Sequence, residues 1–98
     1  MSKNDLNFLS ILEQVIGDRL KEASESSYTA SLAAQGPKRI AQKIGEEGVE
    51  LALAAVAGDR AEVIEESADL LYHVLVMLRS QDITLGEVVD VLEARHNT

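Results

Sequence analysis

Two clusters of acidic residues have the spacing of a helix face. The first is Glu46-Glu47-Gly48-Val49-Glu50 and the second is Glu66-Ser67-Ala68-Asp69. Carboxylates three positions apart occupy neighbouring positions on one side of a helix. Four such groups crowded together repel one another unless a cation lies among them, and hard oxygen donors suit Mg²⁺, with Mn²⁺ as an alternative. The sequence therefore predicts a magnesium site whose metal ligands are Glu47, Glu50, Glu66 and Asp69.

Two helices joined by a tight turn are required to bring these clusters together. We expect one helix over residues 38–57, ended by Gly58 in a left-handed conformation. Asp59-Arg60-Ala61-Glu62 has the pattern of a capping box and predicts a second helix that reaches Arg79 or Ser80. Helices connected in this way pack antiparallel, so the two acidic clusters face each other.

Helical spacing of apolar residues predicts two helices before this hairpin. The first is capped by Asn4 or Asp5 and ends near Ala23. The second is short, is capped by Ser26 or Ser27, and stops at Gly36-Pro37 because proline cannot continue a helix.

A last helix completes a single all-α domain over residues 1–98, with about five helices. It opens at the capping box Thr84-Leu85-Gly86-Glu87, and residues 96–98 are expected to fray. On the third helix Val49, Leu53 and Val56 form an apolar stripe opposite the one that contains Ile40. A helix that is apolar on two sides is expected to be covered on both. The high content of leucine and valine in so short a chain suggests surplus apolar surface and hence an oligomer.

Composition excludes several classes of function. The formal net charge of −8 argues against nucleic-acid binding, which requires a basic surface. The chain has no cysteine, no signal-peptide pattern and no apolar segment long enough to span a bilayer. We therefore expect a cytoplasmic domain with no membrane and no nucleic-acid partner.

The alternative to a metal site is a solvated acidic face. Against it, Glu47 and Glu66 have leucine rather than a basic residue four positions on, and both clusters adjoin apolar stripes. Lys43 precedes Glu47 by one turn, where it would either hold a phosphate or form an ion pair with Glu47. His73 has Leu70 rather than glutamate three positions before it, so we interpret it as a core histidine or a neighbour of the ligands.

The same acidic pattern, E-E-x-x-E followed by E-x-x-D, resembles that of the all-α nucleoside triphosphate pyrophosphohydrolase superfamily, which has the MazG-like fold. Within it, Ser26-Ser27-Tyr28-Thr29 and Asp69-Leu70-Leu71-Tyr72-His73 resemble the phosphoribosyl-ATP pyrophosphatase family. The resemblance covers nearly the whole chain, and Gly48 stands where the family leads us to expect alanine.

This resemblance implies Mg²⁺-dependent hydrolysis of 1-(5-phosphoribosyl)-ATP to 1-(5-phosphoribosyl)-AMP and pyrophosphate, the second step of histidine biosynthesis. It implies catalytic roles for Lys43, Glu46 and Glu47: Lys43 contacts the phosphates, and Glu46 contacts a second metal or the attacking water. Weaker matches assign substrate contacts to Tyr28 and to Lys38 or Arg39. The resemblance also implies a homodimer that completes a four-helix unit, and a stand-alone form without the cyclohydrolase of the next step.

Two other functions remain open from the sequence. A related house-cleaning pyrophosphatase would use the same metal chemistry on non-standard nucleoside triphosphates. A non-catalytic helical adaptor would use the acids as a solvated or partner-binding face, and its stability would not respond to magnesium.

Overall fold

Five α-helices make up the part of the chain that the computed structural model describes, residues 5–21 and 27–97. They are α1 (Phe8–Lys21), α2 (Tyr28–Ala34), α3 (Pro37–Ala57), α4 (Arg60–Ser80) and α5 (Leu85–His96). No strand occurs within those residues, so the all-α prediction is confirmed. None of the described helices is long and apolar enough to cross a membrane.

Local sequence signals account for most helix ends. Ser27 caps α2 by accepting a hydrogen bond from the Ala30 N–H at 3.3 Å. Thr84 and Glu87 form the complete capping box of α5, with backbone-to-side-chain bonds of 3.1 and 2.8 Å. The helix α3 begins at Pro37, one residue before the predicted start, because proline is preorganised for the first helical position.

The predictions for the two chain ends are tested only in part. The helix α1 begins at Phe8, after a turn in which Asp5 Oδ1 accepts the Asn7 N–H at 2.9 Å. Asn4 and the predicted end near Ala23 lie outside the described residues. At the other end α5 extends to His96, so the fraying expected there does not begin before Asn97.

A turn of two residues, Gly58 and Asp59, reverses the chain between α3 and α4. Gly58 has φ 75°, and the Asp59 N–H bonds to the Ala54 carbonyl at 3.2 Å, which satisfies the end of α3. The side chain of Asp59 then accepts the Glu62 N–H at 3.1 Å and opens α4. The two longest helices therefore run antiparallel and share the most extensive helix contact in the chain.

We expect Gly58→Ala to lower the free energy of unfolding by about 1 kcal/mol, because a Cβ is strained at this positive φ. The matched control is Gly48→Ala, in the interior of α3, where an added Cβ meets no atom within 4 Å. That control should raise the free energy of unfolding by up to about 1 kcal/mol, since alanine is the better helix former. Urea unfolding at one protein concentration measures both, and equal stability of the two variants would contradict the prediction.

The core lies between the first four helices and leaves the second apolar stripe of α3 uncovered. Its buried members are Ile16, Leu32, Ile40, Leu75 and Val76. The second stripe on α3, at Val49, Leu53 and Val56, is apolar as predicted but exposed. Within the described residues, then, α3 is covered on one side only.

One contact ties α5 to α1. No residue of α5 is buried, but Leu85 packs against the core and its N–H donates to Glu13 Oε2 at 2.5 Å. The carboxylate of Glu13 thereby satisfies an N–H group at the start of α5 that the helix itself leaves without a partner.

Candidate metal centre on the α3–α4 hairpin

A buried carboxylate on α3 faces a buried histidine on α4. The residues Glu47 and His73 are only 6% and 5% exposed. His73 Nδ1 lies 2.6 Å from Glu47 Oε1 and 2.9 Å from the carbonyl oxygen of Asp69, one turn earlier on α4. The direction of the N–H bond favours Asp69, so Glu47 Oε1 is close to the imidazole but has no well-aligned hydrogen bond.

The second acidic cluster meets the first across the same hairpin. The pKa of Glu66 is raised above its ordinary value, first by a hydrogen bond with the Glu50 carboxyl group and then by removal from water. Repulsion from the charges of Glu50, Asp69 and Glu62 raises this pKa further. The hairpin thus brings Glu50, Glu66 and Asp69 into one electrostatic cluster, as the helix spacing predicts.

Two buried carboxylate oxygen atoms in the described residues lack a hydrogen-bond partner. They are Glu47 Oε1 and Glu66 Oε2, one from each acidic cluster. A buried carboxylate oxygen without a partner is costly, and either a proton or a cation relieves that cost. Both atoms are hard donors, so the residues present fit Mg²⁺ or Mn²⁺.

The four predicted ligands do not form a preformed cage. Across residues 5–21 and 27–97, no three acidic or histidine side chains converge as a group that would hold a metal ion. Like charges separate when no cation lies between them, and magnesium sites in proteins often use only one or two carboxylates. The choice of Glu47, Glu50, Glu66 and Asp69 as ligands therefore stays a prediction.

Glu46 and Lys43, which are predicted to contact the attacking water and the phosphates, are more exposed than Glu47. Glu46 is exposed and accepts a hydrogen bond from Gln42 Nε2 at 3.1 Å. Lys43 is half-buried, and within the described residues it forms no ion pair with Glu47, which lies against the imidazole of His73 instead. Lys43 is therefore left without the structural role that was the alternative to phosphate binding.

The predicted substrate contacts Lys38 and Arg39 occupy the first turn of α3. Lys38 is exposed and Arg39 is half-buried. At about 1.5 Å per residue, Lys38 lies about 13 Å along the helix axis from Glu47, so the structure does not bring it to the acids.

The start of α2 contacts α4 beside the candidate metal centre through two side-chain hydrogen bonds. The Tyr28 hydroxyl is hydrogen-bonded to His73 Nε2 at 2.7 Å, and the Thr29 hydroxyl is hydrogen-bonded to the Tyr72 hydroxyl. The predicted substrate residue Tyr28 therefore contacts the imidazole that lies against Glu47. The sequence patterns assigned no contact to Tyr72 and predicted neither of these bonds. The one available signal was the position of His73 one helical turn after Asp69, which places the imidazole beside the acidic cluster.

The described helices form an all-α bundle with carboxylates on both helices of one hairpin, which is the arrangement expected for the class of all-α nucleoside triphosphate pyrophosphohydrolases. Residues 9–96 match the family described as phosphoribosyl-ATP pyrophosphohydrolase. The chain belongs to this family, and the resemblance drawn from the sequence is confirmed.

Three relatives show the extent of the similarity. The histidine biosynthesis bifunctional protein HisIE of Photobacterium profundum is 58% identical over 92 residues, which are 94% of this chain and 44% of the relative. The protein of the same name from Vibrio cholerae is 53% identical over 94 residues, 96% of this chain and 45% of the relative. The protein of the same name from Salmonella typhimurium is 55% identical over 89 residues, which are 91% of this chain and 44% of the relative. The chain spans less than half the length of these curated relatives.

Proposed function

We propose that this chain hydrolyses 1-(5-phosphoribosyl)-ATP to 1-(5-phosphoribosyl)-AMP and pyrophosphate, the second step of histidine biosynthesis, with Mg²⁺. Membership of the phosphoribosyl-ATP pyrophosphohydrolase family and the histidine-biosynthesis names of the relatives support the reaction. The observation that carries it is the pair of buried carboxylate oxygens without partners, one on each helix of the hairpin. A site of this kind on a bundle of this family suits hydrolysis of a phosphoric anhydride.

Four carboxylates would hold the metal: Glu47, Glu50, Glu66 and Asp69. When bound, Mg²⁺ supplies positive charge that offsets the triphosphate and favours attack at phosphorus. Glu46 has an exposed carboxylate one residue from Glu47, where it would accept the proton of the attacking water. Lys43, one turn before Glu47 and not paired with it, would contact the phosphates.

Substrate contacts farther from the acids are assigned to the ends of neighbouring helices. Tyr28 opens α2 and is 52% exposed, so part of its ring is open to a ligand while its hydroxyl bonds His73. Lys38 and Arg39 open α3, and the reach of a triphosphate with two sugars would span the separation from the acids. No covalent nucleophile is needed, because positioning and charge compensation carry the reaction.

A homodimer and a cytoplasmic location belong to the same proposal. The exposed stripe at Val49, Leu53 and Val56 lies on the helix that carries Glu47 and Glu50. A second copy of the chain that covers this stripe would complete a four-helix unit around the acids. Sedimentation equilibrium tests the assembly: twice the chain mass supports it, and the mass of one chain excludes it.

The test of function is pyrophosphate release from phosphoribosyl-ATP beside a panel of standard and modified nucleoside triphosphates, with Mg²⁺ and with EDTA. We expect Mg²⁺-dependent release from phosphoribosyl-ATP alone, since the acidic site repels an anionic substrate when the metal is removed. Release from the other triphosphates would reassign the chain to nucleotide clearance. No release from any of them, together with no rise in melting temperature on adding Mg²⁺, would favour a helical adaptor.

A further inference from the structure

The imidazole of His73 has a different partner at each of its nitrogen atoms. Nδ1 faces two oxygen atoms that only accept, the Asp69 carbonyl at 2.9 Å and the Glu47 carboxylate at 2.6 Å. An unprotonated Nδ1 would direct a lone pair at both, so Nδ1 carries a hydrogen. Nε2 faces the Tyr28 hydroxyl at 2.7 Å, and in the neutral imidazole it accepts the hydrogen of that hydroxyl.

We propose that Tyr28 and His73 are positioning residues for Glu47. The Tyr28 hydroxyl holds His73 in the tautomer with its hydrogen on Nδ1. This N–H bonds the Asp69 carbonyl, and its positive edge beside Glu47 Oε1 holds the carboxylate in place by electrostatic attraction, which leaves Oε1 available to a divalent cation. The inference rests on the proposed metal centre, since Glu47 is a predicted ligand. It adds a chain of contacts from the start of α2 to the metal-binding carboxylate.

The burial of Glu47 and His73 makes the position of the carboxylate depend on the tautomer of the imidazole. Glu47 and His73 are both nearly inaccessible, so water cannot screen a wrongly placed lone pair. If the hydrogen moved to Nε2, the Nδ1 lone pair would lie 2.6 Å from Glu47 Oε1 and would push the carboxylate away. A hydrogen bond to the distal ring nitrogen is the usual means by which proteins fix a histidine tautomer.

A second bond between the same two helices provides a matched comparison. The Thr29–Tyr72 hydroxyl pair also joins the start of α2 to α4, and no hydrogen bond connects this pair with Glu47 within the described residues. If the Tyr28–His73 bond serves only to dock α2, then Tyr28→Phe and Tyr72→Phe should have the same consequences. If it positions Glu47, only Tyr28→Phe should change metal binding.

Two substitutions of His73 separate the roles of its nitrogen atoms. In His73→Asn the amide nitrogen replaces Nδ1, and in His73→Gln it reaches the place of Nε2. The first variant keeps the donor to Glu47 and Asp69 but loses the bond to Tyr28. The second keeps a partner for Tyr28 and loses that donor.

The experiment is calorimetric titration of the full chain with Mn²⁺ alone, without substrate. We expect His73→Gln to weaken Mn²⁺ binding by about 10-fold or more, as for other residues that orient metal ligands. We expect a smaller loss for Tyr28→Phe and for His73→Asn, and affinity equal to wild type for Tyr72→Phe. Wild-type affinity in His73→Gln, equal affinities in the two Tyr→Phe variants, or no Mn²⁺ binding by the wild type would overturn the proposal.

A measurement on the wild type does not depend on how the variants fold. Nitrogen NMR shifts of an imidazole distinguish a protonated from an unprotonated nitrogen, and the chain has only two histidines to assign. We expect His73 with Nδ1 protonated and Nε2 unprotonated; the opposite tautomer would overturn the proposal. Because neither experiment uses substrate, a wild type that binds Mn²⁺ but releases no pyrophosphate would refute the proposed reaction and leave this inference standing.

Discussion

Replacing Glu47 by glutamine is expected to lower turnover of phosphoribosyl-ATP by about 10²-fold or more, because several kcal/mol of charge stabilisation depend on the metal. Glutamine has nearly the same volume, so the packing of Glu47 between α3 and α4 is kept. The amide oxygen can still lie against the N–H edge of His73, but the negative charge that attracts the cation is lost. The fold should therefore survive while the metal site fails.

Pyrophosphate release at saturating Mg²⁺ measures the loss, and far-UV circular dichroism checks that helix content is unchanged. Asp69→Asn removes a predicted ligand from the other helix and should have the same effect. Glu65→Gln is the control. Glu65 is exposed on α4 beside Glu66, and its substitution makes the same change in net charge. Activity near that of wild type in both Glu47→Gln and Asp69→Asn would refute this assignment of the ligands.

Replacing Glu66 by glutamine is expected to raise the melting temperature in the absence of metal and to reduce the stabilisation that Mg²⁺ provides. In the metal-free protein Glu66 has its pKa raised by the hydrogen bond with Glu50, by burial, and by repulsion from Glu50, Asp69 and Glu62. Its ionised form therefore opposes folding, and the neutral amide removes that opposition. The melting temperature in EDTA should rise, whereas the further rise on adding Mg²⁺ should largely disappear.

The pH dependence of this effect has a definite sign. A carboxyl group whose pKa is raised by folding causes no loss below its ordinary pKa near 4.5, where it is protonated in both the folded and unfolded states. The loss develops as the pH rises from there through the raised value, so the advantage of Glu66→Gln in EDTA should be absent near pH 4 and should grow as the pH is raised toward 8. Thermal unfolding of both proteins across this range, with Glu65→Gln as control, measures it. A Glu66→Gln protein less stable than wild type in EDTA at the upper pH would contradict it.

The sequence was sufficient for the helices and for the meeting of the acidic clusters, because both depend on local spacing. The turn at Gly58-Asp59 and the caps at Ser27 and Thr84 act within a few residues, and a short turn leaves two helices little choice but to pack antiparallel. The proximity of Glu50 on α3 to Glu66 on α4 follows from the short turn and the helix spacing.

What the sequence did not reveal are contacts between distant parts of the chain. Tyr28 and His73 are 45 residues apart, and their hydrogen bond depends on how α2 rests against α3 and on two side-chain rotamers. The same holds for Glu13, which binds the first N–H of α5 from α1. The pattern around His73 argued that it is not itself a ligand but contained nothing to indicate which carboxylate the imidazole would touch.

The two-residue turn between α3 and α4 also bears on the order in which the molecule assembles. Only a short loop must close before these consecutive helices meet, so the entropy cost is small and the hairpin is a good candidate for early folding. The same step brings the acidic clusters together and is opposed by their mutual repulsion. If the proposed metal site is correct, a divalent cation would reduce this repulsion and so favour formation of the hairpin during folding as well as in the finished site.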